Sequence, residues 1–411
     1  MDIKSFQKGN RRKPTMIKFQ RINTILAGLV FISILLFPQF KVVESLPYFQ
    51  FIDVLIPLIG LVLFLQRKTI VDSKFYLWVI AFGLIIIISN LINYENNHSR
   101  DYFEVYKLFK YGIVVVLFST INFETFFKYL VKPVFLVLVG VNLIHYFNVF
   151  NFNEVIKEYY NGGIHIDLFG LDSKGNVGTK RMLGLAGNPN INSIVFLFFL
   201  TLFFPLKNSS RSTISWFVVA LFMLFLCQSR TGILALAAIV VYVFVSQQSL
   251  YKYYTLLGII AVTFLLSFLL SQNSYLNTIF DKDLLKNNSM MGRYEVWKHL
   301  AAMIIEKPIF GYGGYKQYFY ERNLHAESQY ILVAWRYGIV GLIVFLGMIF
   351  QPVIFALKNK KTIISLYLIL FTICIAVCSI TNAPLADRTI SVLFGIIIGF
   401  FLKQKLTINN E

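Results

Sequence analysis

Long apolar stretches alternate with short polar connections along almost the whole chain. The apolar runs are roughly 17 to 22 residues long, and about 20 residues at 1.5 Å rise cross the ~30 Å hydrocarbon core of a bilayer. About twelve such runs occur, at approximately 22–39, 48–65, 75–93, 105–121, 129–150, 190–206, 212–227, 231–247, 253–270, 329–355, 363–381 and 389–402. The second carries Asp53 and Pro57, and the fourth carries Lys107 and Lys110. The pattern predicts an all-α integral membrane protein of about 12 transmembrane helices.

Two connections are too long to be simple turns, 151–189 and 271–328, and they are where function is sought. In the second, Tyr294, Trp297, Leu300, Ala301 and Ile304 recur at helical spacing, with Arg293, Glu295, Lys298 and His299 between them. Pro308 and Gly311 then end that helix. The expected element is an amphipathic helix at the membrane surface, before the tenth span.

Composition supports this division. Hydrophobic residues make up 57% of the 411 and charged residues only 14%, which excludes a soluble domain. Lys and Arg number 38 against 20 Asp and Glu, a formal charge of +18. With a cytoplasmic N-terminus, the Lys4 to Arg21 run, Arg67-Lys68, Lys207, Lys252, Lys360-Lys361 and Lys403-Lys405 all fall inside. Both termini are then cytoplasmic, both long connections face outward, and the basic N-terminus reads as a retained anchor. The expected divisions are 1–21, spans one to five over 22–150, an outer loop 151–189, spans six to nine over 190–270, a large outer loop 271–328, spans ten to twelve over 329–402, and a tail 403–411. Cys227, Cys374 and Cys378 lie in apolar runs and offer neither a disulfide framework nor a zinc site.

The outer-facing cations demand an explanation, because charge near hydrocarbon pairs, snorkels or serves a pathway. Arg230 begins a span in Gln228-Ser229-Arg230-Thr231-Gly232, Arg293 opens the amphipathic helix, Lys107 and Lys110 sit one turn apart, and Arg388 follows Asp387. Arg181 precedes Gly187-Asn188-Pro189-Asn190. Singly, each fits snorkelling or a local ion pair. Together on one side they suit a phosphate or pyrophosphate borne on a lipid, since guanidinium forks match phosphate oxygens in pairs. Nucleic acid is not an expected partner, because the basic run Arg11-Arg12-Lys13 is accounted for by anionic headgroups.

Asn188 and Asn190 flank Pro189 as a turn and helix cap, and equally fit hydrogen bonding to sugar hydroxyls. Gly311-Tyr312-Gly313-Gly314-Tyr315 permits close backbone approach to a ligand, with Tyr312 a glycan-binding candidate beside Asn188 and Asn190, but lacks the Lys-Ser/Thr ending of a nucleotide loop. His325 is a candidate general base, with Glu327 as orienter or alternative base. The outer loops offer no acidic cluster for a divalent cation, and no cofactor is expected.

In this order and spacing, Arg181 with Gly187-Asn188-Pro189-Asn190, Ser229-Arg230-Thr231-Gly232, Gly292-Arg293-Tyr294-Glu295-Val296-Trp297, Lys307-Pro308-Ile309-Phe310-Gly311-Tyr312-Gly313, His325 and Tyr337-Gly338-Ile339-Val340-Gly341-Leu342 resemble the O-antigen ligase and O-antigen polymerase superfamily of polytopic glycosyltransferases. The resemblance covers 180–350 and implies a GT-C-like fold. It implies transfer of a glycan from an undecaprenyl-pyrophosphate carrier to an acceptor hydroxyl, on lipid A core or another lipid-linked repeat unit. The reaction would run at the outer face of the bacterial inner membrane, without metal and with inversion. Arg230 and Arg293 would hold the pyrophosphate and His325 would activate the acceptor. Ala326 follows the histidine where the family often has Asn, which leaves His325 and Glu327 as alternative bases. A flippase for the same lipid-linked glycan is the rival reading, although no matching halves are visible in the sequence.

Overall fold

The structure is a computed structural model that describes residues 14–37, 39, 49–66, 73–158, 160, 163–171, 180–205, 210–246, 256, 260, 288–322, 324–358 and 362–409. The basic run at 11–13 and nearly all of the expected ninth span lie outside the described residues. Each other segment expected to span is helical. These helices are α1 (Pro14–Leu36), α2 (Phe51–Leu65), α3 (Ser73–Ile92), α4 (Phe103–Ser119), α5 (Phe123–Phe147), α6 (Pro189–Leu202), α7 (Arg211–Leu226) and α8 (Arg230–Ser246). They are followed by α9 (Asn288–Glu306), the short α10 (Lys316–Glu321), α11 (Gln329–Lys358), α12 (Ile363–Thr381) and α13 (Arg388–Asn409). Among the described residues, four helices are long and apolar enough to cross a bilayer: α3 from Lys74, α5, α11 and α12. The shorter apolar helices include α2, α6, α7 and α8.

The charges that interrupt the second and fourth apolar runs explain one another. Asp53 of α2 accepts from Lys110 of α4 at 2.8 Å and from the Tyr106 hydroxyl at 3.2 Å, and Arg388 approaches it at 3.5 Å. Lys110 is 1% exposed, so its charge is met inside the bundle.

Close helix approach fixes where these groups stand. Helix α13 packs along α4, with Gly395 and Gly399 one turn apart on the contact. A Cβ at Gly399 would stand 2.7 Å from both Phe118 Cβ and the Val115 carbonyl oxygen. Helix α11 packs on α3, and α12 packs on both α8 and α11. The main core is one contiguous apolar cluster, and a second, smaller core surrounds Trp335.

That second core changes the reading of the amphipathic helix. The residues of α9 that pack into it are Val296, Leu300, Met303 and Ile304, with Leu300 fully buried against Tyr312, Tyr318 and Trp335. Tyr294 and Ala301, expected on the apolar stripe, are exposed. The buried face is rotated from the expected one because it meets an aromatic cluster of the chain itself.

Candidate functional site

Two side chains one turn apart on α9 grip consecutive residues of the irregular segment before α11. Arg293 Nε donates to the Glu327 carboxylate, and Trp297 Nε1 donates to the Ala326 carbonyl at 2.7 Å. Leu300, one turn further along, anchors the helix in the second core. Ala326 is buried while His325 beside it is exposed, so the tether displays the imidazole at the surface. Glu327 has φ +44°, a left-handed conformation that costs a non-glycine residue about 1 kcal/mol. The two tethers hold that backbone in place.

A second group of candidates meets through Asn190. Its Oδ1 accepts from Arg181 at 3.0 Å and from the Ser229 hydroxyl at 3.1 Å, immediately before half-buried Arg230. Asn188 caps α6, its Oδ1 accepting from Asn190 N at 2.8 Å, which is the capping role expected of the Asn-Pro-Asn turn. Asn190 Nδ2 reaches Asn382 Oδ1 at 3.4 Å, and the Asn382 carbonyl accepts from Gln329 N at 2.9 Å. Gln329 opens α11 two residues after Glu327. The connections before α6, α8, α11 and α13 thus meet at one end of the bundle, and Arg181, Asn190 and Ser229-Arg230 are linked by hydrogen bonds to the His325 segment.

The other candidate cations have carboxylate partners. Lys107 sits 2.6 Å from Glu104 and also donates to the Ala386 carbonyl at 3.1 Å, and Lys110 and Arg388 share Asp53. Arg388 turns to Asp53, while Asp387 accepts from Thr389 N and Ile390 N at 2.9 and 3.1 Å and caps α13. Burial outweighs those two hydrogen bonds and raises the Asp387 carboxyl above its ordinary value.

Tyr312 is buried. Its ring stacks on Trp335 with centroids 5.4 Å apart, and its hydroxyl donates to Glu306 at 2.8 Å. Burial and the Glu306 carboxylate push that hydroxyl up to about 12. The glycine-rich loop around it docks onto a break in α11. Gly338, at φ +66°, interrupts the helix, and the Trp335 and Arg336 carbonyls accept from Tyr312 N and Gly313 N at 3.0 and 2.8 Å. Ile339 N donates to the Pro308 carbonyl at 2.8 Å.

A ladder at the end of α3 completes this joint, and it escaped the sequence reading. Ser89 donates to the Phe310 and Arg336 carbonyls, Asn90 accepts from Gly314 N, Asn93 donates to the Gly311 carbonyl, and Asn97 accepts from Tyr315 N. Asn90, Asn93 and Asn97 recur at helical spacing as an apolar run ends, which is the signal that could have found them. Asp53, Glu104 and Arg336 were also missed. Glu104 stands one turn before Lys107, a visible pairing. Among the described residues, no three His, Cys, Asp or Glu side chains gather as a metal-ligand set.

Residues 216–346 match the O-antigen ligase family. That match takes in 131 of the 411 residues and supports membership of the O-antigen ligase superfamily. The matched region runs from α7 through α11 and includes Arg230, Arg293, Trp297, His325 and Glu327. Arg181, Asn188, Asn190, Lys107, Lys110 and Arg388 lie outside it. No curated protein matches the chain. The apolar helices and this family match together imply a multi-pass membrane protein, and the matched region extends over both tethers of the His325 segment.

Proposed function

We propose that this O-antigen ligase superfamily member is a metal-independent, inverting glycosyltransferase. It moves a polysaccharide from an undecaprenyl-pyrophosphate carrier to a sugar hydroxyl of lipid A core or of another lipid-linked repeat unit, at the outer face of the inner membrane. The observation that carries the reading is the double tether from α9, which displays exposed His325 beside the Arg293–Glu327 pair.

His325 takes the proton from the acceptor hydroxyl as its oxygen bonds to the anomeric carbon, and the carbon–oxygen bond to the pyrophosphate breaks. The electron pair leaves with the pyrophosphate, whose growing charge needs preorganised cations. Arg293, Arg230 and Arg181 supply them. A pyrophosphate at Arg293 competes with Glu327 for the guanidinium, which frees the carboxylate to orient His325 or to act as the base itself. Asn188 and Asn190 border the glycan path, and Lys107, Lys110 and Arg388 add positive potential from the same end.

The test uses purified protein in liposomes with an undecaprenyl-pyrophosphate glycan and each acceptor in turn. Transfer with release of the carrier is expected, and it is lost in His325→Ala and Arg230→Ala. Absence of product and of carrier release with both acceptors would falsify the reading.

A further inference from the structure

Three cations from separate parts of the chain converge on one carboxylate. Glu104 of α4 lies 2.6 Å from Lys107, 2.9 Å from Lys316 of α10 and 3.9 Å from Arg336 of α11, the last beyond hydrogen-bond reach. Glu104, Lys107 and Arg336 are 12 to 16% exposed, and Lys316 is 23% exposed. Glu104 is shared by these three cations, and the next carboxyls are Asp101, whose Oδ1 accepts from Lys316 N at 3.1 Å, and Asp387, which interacts with Lys107. Arg336 Nε is buried without a hydrogen-bond partner among the described residues. A buried guanidinium donor without an acceptor is unfavourable beside apolar helices unless an anion meets it.

The space below the cluster is amphipathic. Glu104, Lys107, Leu108 and Tyr111 share one face of α4, and Gln329, Leu332 and Arg336 share one face of α11. Between these faces, α3 and α13 lies a narrow cleft with about 60 Å³ of free space, continuous with the surroundings. Its polar end holds Glu104, Lys107, Gln329 and Arg336, and its apolar end holds Leu108, Tyr111, Phe345, Met348 and Phe394. The Tyr111 hydroxyl, also buried, has no partner among the described residues.

We propose that this cleft binds a lipid phosphate, with the phosphate oxygens at Arg336 and Lys107 and the start of the hydrocarbon chain between α4, α11 and α13. The site is distinct from Arg230 and Arg293. It adjoins the His325 segment, since Gln329 at its mouth follows Glu327 by two residues. Binding here does not depend on glycosyl transfer, so the two proposals fail separately.

Native mass spectrometry of the purified full chain, offered undecaprenyl phosphate, phosphatidylglycerol or inorganic phosphate, tests it. At least one lipid is expected to be retained about tenfold over inorganic phosphate, and Arg336→Gln to lower that retention by about tenfold. Leu385→Trp, at the cleft wall, obstructs the chain without changing charge and decides the question if Arg336→Gln does not fold. Preference for undecaprenyl phosphate makes the occupant a glycan carrier, and preference for phosphatidylglycerol makes it a bilayer lipid; either upholds the proposal. His325→Ala keeps the lipid bound while losing transfer. Equal lipid retention in wild type and both folded variants, or inorganic phosphate held as well as either lipid, overturns it.

Discussion

The guanidinium of Arg293 donates to the carboxylate of Glu327, 34 residues further along the chain. The pair is partly exposed, with side chains 27% and 38% accessible, so it contributes little to stability, about 0 to 1 kcal/mol. Its consequence is positional: it fixes the residue after next to His325.

Arg293→Lys keeps the charge but loses the planar fork. Transfer is expected to fall more than about tenfold, the equivalent of about 1.4 kcal/mol, while membrane abundance stays unchanged. Wild-type turnover in this variant would show that only general positive potential matters at this position.

Trp297→Phe removes the indole donor to Ala326 and keeps most of the ring. The lost hydrogen bond costs about 1 kcal/mol, and the His325 segment loses one of its two anchors. Turnover is expected to drop with the pH profile unshifted, because the variant moves the base without altering its chemistry. An unchanged rate in steady-state assays would remove Trp297 from the positioning apparatus.

Gly338→Ala places a Cβ 2.1 Å from the Ile309 carbonyl oxygen at a φ of +66°. The joint between the glycine-rich loop and α11 is expected to open, at a cost above about 2 kcal/mol. Thermal unfolding in detergent should show a clear loss. Gly140→Ala on α5, where a Cβ meets nothing within 4 Å, serves as the control and should leave the midpoint unchanged or slightly raised.

Lys110→Met leaves Asp53 with Arg388 at 3.5 Å as its remaining cationic neighbour. Breaking a buried pair typically costs about 3 to 5 kcal/mol, so a large fall in stability is expected. The double variant Asp53→Leu with Lys110→Met should regain part of it. Thermal midpoints of the single and double variants check this, and a fully stable Lys110→Met would mean that the pair contributes nothing.

Asp387→Asn retains an oxygen for Thr389 N and Ile390 N but removes a half-buried charge. Folding raises the Asp387 carboxyl, so its favourable contribution is present below the ordinary carboxylate value of about 3.9 and is lost as pH rises through the raised value. At neutral pH the variant is expected to be the more stable, with the difference vanishing in acid. Denaturation midpoints measured across pH would show the opposite trend if the charge of Asp387 were needed in the fold.

Helix positions were legible in the sequence because the bilayer sets a length and a polarity that the chain must satisfy locally. The Asn188 cap and the stop at Pro308 were legible for the same reason, since each acts within a few residues of its own backbone. The resemblance to the O-antigen ligase superfamily followed from the spacing of such local signals around Arg230, Arg293 and His325, and the family match over 216–346 supports it. Only the tertiary structure decided which charges met. Asp53 and Lys110 are 57 residues apart, and Glu104 finds Lys316 and Arg336 more than 200 residues away, through helix neighbours that hydropathy does not name. It also turned the buried face of α9 toward Trp335 and broke α11 at Gly338, because a glycine inside an apolar run reveals nothing until its partners require a positive φ. The sequence set the helices by their local contract with the membrane, and the site arose from long-range pairing among them.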